Sequence, residues 1–352
     1  MDYIPDDYDY GNYSNYSEEY SAIAPCSRDA DNMLGAHLSI IYYFMFVFSV
    51  CGNVLVLAII HRFESVTTVT NILLMNLVLS SLIFISSLPF IGFYMQRSDW
   101  TFGKVMCKLV GSVYYLGFYS SVLFLTLLTF DRHLAVVYSV GVTCSVGVAR
   151  LRNRSYAVVS CSVVWIVSGL ACIRPMTSHT TFVYIDNKTL CEEFPGDVPD
   201  VNVELLRTSE FYLQLFVFLI LPLAVIIYCY VRISITVLSS KISSRFKTVR
   251  LIFFIVLLFF LSWIPFNVIM LMFDADKITV KNQKLGYALQ ITRNVAYLYF
   301  CISPMFYTFV GKKFQNYFRQ MLVTRFPSLK RHVSVSRCSR SNMSTRSTNN
   351  EP

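Results

Sequence analysis

The chain has 352 residues, of which 55% are hydrophobic and only 14% charged, whereas a soluble domain carries about 25% charge. The net charge of +9 sits in a few inner-side segments and a tail, so it reflects membrane topology and not nucleic-acid binding. A large soluble α/β domain is excluded by the pattern, since its helices would be shorter and would alternate with turn-rich strands.

In chain order, the first segment, residues 1–35, is acidic and rich in tyrosine. Asp6, Asp7, Asp9, Glu18 and Glu19 interleave with Tyr8, Tyr10, Tyr13, Tyr16 and Tyr20. This composition cannot bury a core and is expected to be disordered alone. It reads either as a solvated leader or as an anionic docking strip for a basic partner, with its tyrosines open to sulfation; the acidic flanks favour the strip. Asn12 and Asn15 begin glycosylation tripeptides. Met1 is followed by acid and tyrosine, not by a basic and then apolar run, so no cleavable signal is expected.

Seven apolar stretches follow: Leu38–Ile60, Ile72–Tyr94, Val105–Phe130, Tyr156–Ile173, Phe211–Val231, Leu251–Phe273 and Leu285–Val310. A spanning helix needs about 20 largely apolar residues at 1.5 Å each. The fourth is the shortest. The expected fold is an all-α membrane protein, a seven-helix bundle over 36–310. A short amphipathic helix at 311–323 and a Ser/Thr-rich tail at 324–352 follow it.

Charge sets the orientation. The tail is basic, and so are the turns near Arg150–Arg154 and Lys241–Arg250. Positive loops stay in the cytoplasm, so the acidic head is expected outside, on a multi-pass protein of the plasma membrane. Of the ten cysteines, Cys26, Cys107 and Cys191 fall on the outer side, where a disulfide is expected. Asn187 opens another outer glycosylation tripeptide.

Several positions break the apolar or helical rule. Gly52 and Asn53 lie in the first segment and Asn76 in the second. Pro89, Pro222, Pro265 and Pro304 fall in four separate segments, where each kinks its helix. Together they point to a bundle with a cavity and movable halves. Asp131 and Arg132, at the inner end of the third segment, are costly at that depth unless paired or near water.

These residues resemble those of rhodopsin-like G-protein-coupled receptors. Asp131-Arg132-His133 matches the D-R-Y motif, Ser262-Trp263-Ile264-Pro265 matches C-W-x-P, and Ser303-Pro304-Met305-Phe306-Tyr307 matches N-P-x-x-Y. Within that family the chain is similar to chemokine receptors: Trp100-Thr101-Phe102-Gly103 matches W-x-F-G, and Ser87-Leu88-Pro89 matches the T/S-x-P of the second helix. The stretches Thr70–Ile72, Phe246–Phe253 and Tyr287–Asn294 are most similar to the XC (lymphotactin) type.

The resemblance implies a disulfide between Cys107 and Cys191. It implies a small basic chemokine as ligand, of XC type, whose body docks on the head and whose N-terminus enters a cavity among the helices. Trp100, Tyr114, Tyr115, Glu210, Trp263 and Arg293 are the candidate lining. The implied response is an equilibrium shift, with Pro265 as pivot and with Asp131, Arg132, Tyr230, Pro304 and Tyr307 in the inner rearrangement. The partners are a heterotrimeric G protein of the Gi/o class, and arrestin and receptor kinases on the tail, with chemotaxis and calcium responses in immune cells. No enzyme is expected, and no cofactor or metal.

The chain departs from the family pattern at several places. Ser81 stands where a second-helix aspartate is usual and Ser303 replaces an asparagine, so weak or absent sodium binding is expected. His133 replaces tyrosine. No cysteine between Phe273 and Gln290 is available for Cys26, which is either unpaired or bonded elsewhere, such as to Cys172. Arg293 lies about 10 Å into the last helix if that helix starts near Gly286; it either pairs internally, for instance with Glu210, or meets the ligand. The departures keep a non-signalling chemokine scavenger open as the alternative. A transporter would need repeated halves and midplane charges; no internal repeat is visible.

Overall fold

The computed structural model describes residues 32–63, 68–140, 153–183, 187–193, 203–239, 246–275, 283–310 and 312–325. Within them the chain forms a bundle of long helices with a two-stranded hairpin at one end. Helix α1 (Asn32–Phe63) is followed by α2 (Val69–Ile85) and α3 (Leu88–Arg97), which together make one span, and by α4 (Gly103–Val140). Next come α5 (Arg154–Ala171) with its extension α6 (Ile173–Ser178), then β1 (His179–Val183) and β2 (Thr189–Glu193). The fifth span runs through α7 (Val203–Leu215), a π-helical segment (Phe216–Ile220) and α8 (Leu221–Ser239). Helices α9 (Phe246–Ala275), α10 (Gln283–Val310) and α11 (Lys312–Arg325) complete the order.

Among the described residues six runs are long and apolar enough to cross a membrane: Ser39–Phe63, Val69–Arg97, Gly103–Tyr138, Arg154–Ser178, Leu205–Leu238 and Val249–Met272. The fourth apolar stretch, the shortest by sequence, is thus part of a full-length crossing. Helix α10 is the polar one. Its Asn294 Oδ1 accepts a hydrogen bond from the Tyr42 hydroxyl at 2.8 Å, and Gln290 donates to the same hydroxyl at 3.2 Å. These bonds satisfy polar groups that lipid could not. Apolar side chains such as Ile40, Phe44, Val47, Val159, Ile166, Leu221 and Leu261 stay exposed on the outside of the bundle. Such a surface is costly in water and suited to hydrocarbon.

The proline positions explain the breaks. Between α2 and α3 the hydroxyls of Ser86 and Ser87 cap the carbonyls of Ile83 and Phe84 at 2.7 Å each, and Pro89 sits in the first turn of α3, where its missing N–H costs nothing. Ahead of Pro222 the helix widens into the π-helical turn, which absorbs the bond proline cannot make. Pro265 and Pro304 lie inside α9 and α10. A Cβ on Gly52 would come within 3.0 Å of the Pro304 ring, so α1 and α10 approach closely there.

The main core runs the length of the bundle and includes Phe84, Phe118, Phe124, Phe259, Trp263, Tyr299 and Phe300, each at or below 1% exposure. In the hairpin Thr181 pairs with Cys191 and Val183 with Thr189. Asn187 has a left-handed φ of 57° in the connection and is exposed.

Candidate ligand cavity and inner face

The outer end is built around the bond between Cys107 on α4 and Cys191 on β2, with Cα atoms 5.6 Å apart. The Trp100 amide donates to the Thr189 carbonyl at 2.7 Å, and Asp99 accepts from the Thr189 amide at 2.9 Å. Lys108 donates to the carbonyls of Met176 and Thr177. These bonds lay the hairpin over the mouth of the bundle. Trp100 itself is 3% exposed and packs with Tyr94, Cys107 and Val110, its indole N–H bonded to the Gly103 carbonyl at 2.9 Å. It stands apart from the other cavity candidates and fastens the loop to the disulfide. Cys172 is a buried, unbonded thiol, so the pairing of Cys26 with Cys172 is not made; burial between α5 and α6 keeps it from an outer partner.

Below the hairpin lies an aromatic floor. Trp263 is fully buried, with its ring centre 4.1 Å from Phe118 and near Phe84, Tyr114, Phe259 and Phe300. Tyr114 meets Tyr115 edge-on at 5.0 Å and Tyr297 at 5.8 Å. Tyr115 lies against His179 of β1. Arg293 is half-buried on α10, with its guanidinium 6.0 Å from the centre of the Phe266 ring and Tyr42, Tyr114, Tyr115 and Tyr297 around it. Cation–π contact and aromatic surroundings offset part of its desolvation. The internal ion pair with Glu210 is not formed: among the described residues the one salt bridge is elsewhere.

Glu210 lies on α7 and is 5% exposed. Neither carboxylate oxygen accepts a hydrogen bond from a described donor. Its charged neighbours are Glu193 of β2 and Arg174 of α6. The Arg174 guanidinium is turned to the Ser209 hydroxyl at 3.0 Å and to the Leu206 carbonyl. The Glu193 Oε1 accepts from the Ser178 hydroxyl at 2.8 Å.

Sequence reading omitted Tyr42, Phe84, Phe118, Phe266 and Tyr297 from this site. Helical spacing is a signal for two of them, since Phe118 follows Tyr114 and Tyr297 follows Arg293 by four residues and so shares its face. The others come from different helices, and no local pattern reports them.

At the inner end Arg132 Nη2 donates to Asp131 Oδ2 at 2.9 Å, and the Thr70 hydroxyl donates to the same oxygen at 2.9 Å. Asn76 accepts from the Trp165 indole at 2.9 Å, tying the second span to the fourth. His133 is buried among Phe130, Tyr138 and Tyr228, with Arg232 nearby. Tyr230 packs edge-on against Phe253 at 5.2 Å, joining α8 to α9. In the middle of the bundle the Ser81 hydroxyl is spent on the Leu77 carbonyl of its own helix. Asn53 donates to the Ser49 carbonyl at 2.9 Å, and Ser49 to the Phe300 carbonyl at 2.7 Å.

The head candidates Asp6, Asp7, Tyr8, Asp9, Tyr10, Tyr13, Tyr16, Glu18, Glu19 and Tyr20, with Asn12, Asn15 and Cys26, lie outside the described residues, as does the tail beyond Arg325. Tyr307 is placed as a backbone position in α10 and its side chain lies outside them too.

A bundle of this order, closed above by a disulfide-held hairpin and carrying a charged pair at its inner end, defines a seven-helix membrane receptor. Residues 52–307 match the 7 transmembrane receptor (rhodopsin family) model. The chain is similar to the human C-C chemokine receptor type 1, at 33% identity over 316 residues, covering 87% of this chain and 85% of that receptor. It is likewise similar to the G-protein coupled receptor E1 of equine herpesvirus 2 (strain 86/87), at 34% over 310 residues, covering 85% and 77%. Human C-C chemokine receptor type 4 is 30% identical over 318 residues, covering 89% and 85%. The chain belongs to the chemokine receptors of the rhodopsin family. It is accordingly a multi-pass plasma-membrane receptor and not an enzyme.

Proposed function

We propose that this receptor takes a basic chemokine of the XC type on its outer face and passes the signal to a Gi/o heterotrimer, with the N-terminus outside. The ligand body docks on the acidic, tyrosine-rich head, where opposite charge steers encounter. The ligand's N-terminal segment enters beneath the hairpin and meets Tyr114, Tyr115, Arg293 and the floor over Trp263. The observation that carries this reading is Arg293: a cation held over Phe266 among tyrosines, with no acid partner among the described residues.

Occupancy must favour one conformation over another to transmit anything. Trp263 is wedged between Phe118 and Phe259 two residues before Pro265, so ligand pressure on this floor moves the inner half of α9. Arg132 then leaves Asp131, and Tyr230 and Tyr307 close around it. Phosphorylation of the tail by receptor kinases, at about −1.5 to −2 charge per site, recruits arrestin. The runner-up is a scavenger that binds without exchange, favoured by Ser81, Ser303 and His133.

A chemokine panel including the XC ligand, read as nucleotide exchange on Gi in receptor membranes, tests the proposal. Saturable XC binding with exchange is the expected result. Binding without exchange selects the scavenger, and no XC binding overturns the ligand assignment. Arg293→Ala is expected to impair exchange more than docking of the ligand body; equal losses count against its place in the cavity.

A further inference from the structure

A pocket separate from the ligand cavity opens on the flank of the bundle at its inner end. It lies among α2, α4 and α5 and is lined by Leu73, Leu127, Phe130, Asp131, Tyr156 and Ser160, with further apolar residues. It holds about 480 Å³ of empty space, its open mouth included. Phe130 is 40% and Tyr156 50% exposed, so the mouth faces the hydrocarbon around the bundle. An occupant comes from the bilayer. Much of the space is mouth, which suits a slim chain better than a fused ring system.

The lining is apolar but for three residues. Asp131 is the one charged member and is 4% exposed. Its bond from Thr70 draws the carboxylate toward α2, whose Leu73 lines the same pocket. Tyr156 and Ser160 bring hydroxyls, neither of them bonded to a described residue. A carboxylate and two hydroxyls are three acceptors, and a primary ammonium has three donors and no lone pair. A fatty acid or a phosphate head would meet Asp131 as a like charge, and an alcohol brings one donor without charge. The exposed Arg154, two residues before Tyr156, is not part of the lining.

We propose that this pocket is a lateral site for a membrane-borne primary amine on a single apolar chain, whose ammonium takes over the Asp131 carboxylate as Arg132 leaves it. In the resting arrangement Arg132 already neutralises Asp131 at 2.9 Å, so a second cation gains little there. Once Arg132 departs, the buried carboxylate has lost its counter-charge, a strongly unfavourable state. The amine supplies the missing partner. It therefore binds the released conformation better and shifts the population toward it. The direction of this effect rests on the reading that Arg132 parts from Asp131 on activation; occupancy of the pocket does not.

The test uses the full-length receptor in nanodiscs and dodecylamine carrying a diazirine beside its amine. After photolysis the labelled peptides are read by mass. Labelling is expected to fall on residues 127–134 and 156–160. Dodecylamine is expected to compete at least about tenfold better than dodecanol, because only the amine brings charge to the carboxylate. Ser160→Leu, which narrows the mouth and removes an acceptor, is expected to abolish this labelling, and Tyr156→Phe to weaken it. Labelling spread evenly over the lipid-facing helices, or equal competition by dodecanol, overturns the site. The labelling map of the wild type decides this even if one variant fails to fold.

Nucleotide exchange without chemokine separates the site from its effect. Dodecylamine is expected to raise exchange on the wild type by at least about threefold and to leave Ser160→Leu unchanged. An equal rise in both comes from the bilayer or the G protein and overturns the coupling. Localised labelling with no rise leaves the site standing and removes the release of Arg132 instead.

Discussion

Thr70 on α2 donates its hydroxyl to the Asp131 carboxylate on α4 at 2.9 Å, sharing the oxygen that also accepts from Arg132. The second span thus holds the Asp131 side chain against Arg132. Hydrogen bonds to charged groups are worth about 1.5–3 kcal/mol. Thr70→Val removes one while keeping the shape. It is expected to raise ligand-independent nucleotide exchange about tenfold or more, because every 1.4 kcal/mol shifts a two-state ratio about tenfold. Unchanged basal exchange in receptor membranes, at matched surface expression, would remove this latch from the mechanism.

Gly117 on α4 presses on α2. A Cβ there would lie 2.5 Å from Phe84 Cβ and 2.7 Å from Phe84 Cα. Backbone cannot give way as a side-chain tip can. The same interface carries the 2.7 Å bond between Ser80 and Ser120. Gly117→Ala is expected to cost about 1–3 kcal/mol by overpacking and to lower the melting temperature of purified receptor. Gly169, with nothing near its Cβ position, is the control whose Ala variant leaves melting nearly unchanged.

Sodium should not matter to this receptor. Ser81 bonds its own helix at 3.1 Å and Ser303 is buried beside Pro304, and neither brings a carboxylate to the bundle centre. A hard cation needs charged oxygen. Ligand affinity measured in sodium buffer and in N-methylglucamine buffer of equal ionic strength is expected to coincide. A clear difference between them would show a cation site built from other groups.

Glu192 on the hairpin has a carboxyl raised from its ordinary 4.5, chiefly by desolvation and partly opposed by Arg207. Raised folded affinity for the proton means that the acid favours folding while protonated. That contribution is present below the ordinary value and is lost as pH rises through the raised one. Glu192→Gln is therefore expected to melt higher than wild type at neutral pH and level with it near pH 4.5. Two parallel melting curves across that range would contradict the assignment.

Much of this molecule is readable from the chain. Seven apolar stretches set the number of spans, because lipid demands continuous apolar helix whatever the neighbours. The breaks near Pro89 and Pro222 follow from local chemistry, although the two-helix split at Ser86–Ser87 and the π-helical turn are different answers to the same missing N–H. The fourth stretch looked short because Arg154 and Pro175 flank its apolar run, yet helix continues through them to Ser178.

What composition, spacing and motif order determined was the class: a bundle, an outer disulfide, a charged pair at the inner end. Pairing across the bundle was decided only in three dimensions. That Arg293 rests on Phe266 and not on Glu210, that Trp100 is buried beside the disulfide, and that the Glu210 oxygens are buried without a described donor all depend on how each helix is rotated and tilted. Periodicity tells which residues share one helix face, but the partner of that face is set by ridge-and-groove packing between elements far apart in the chain, and no local window of residues contains it.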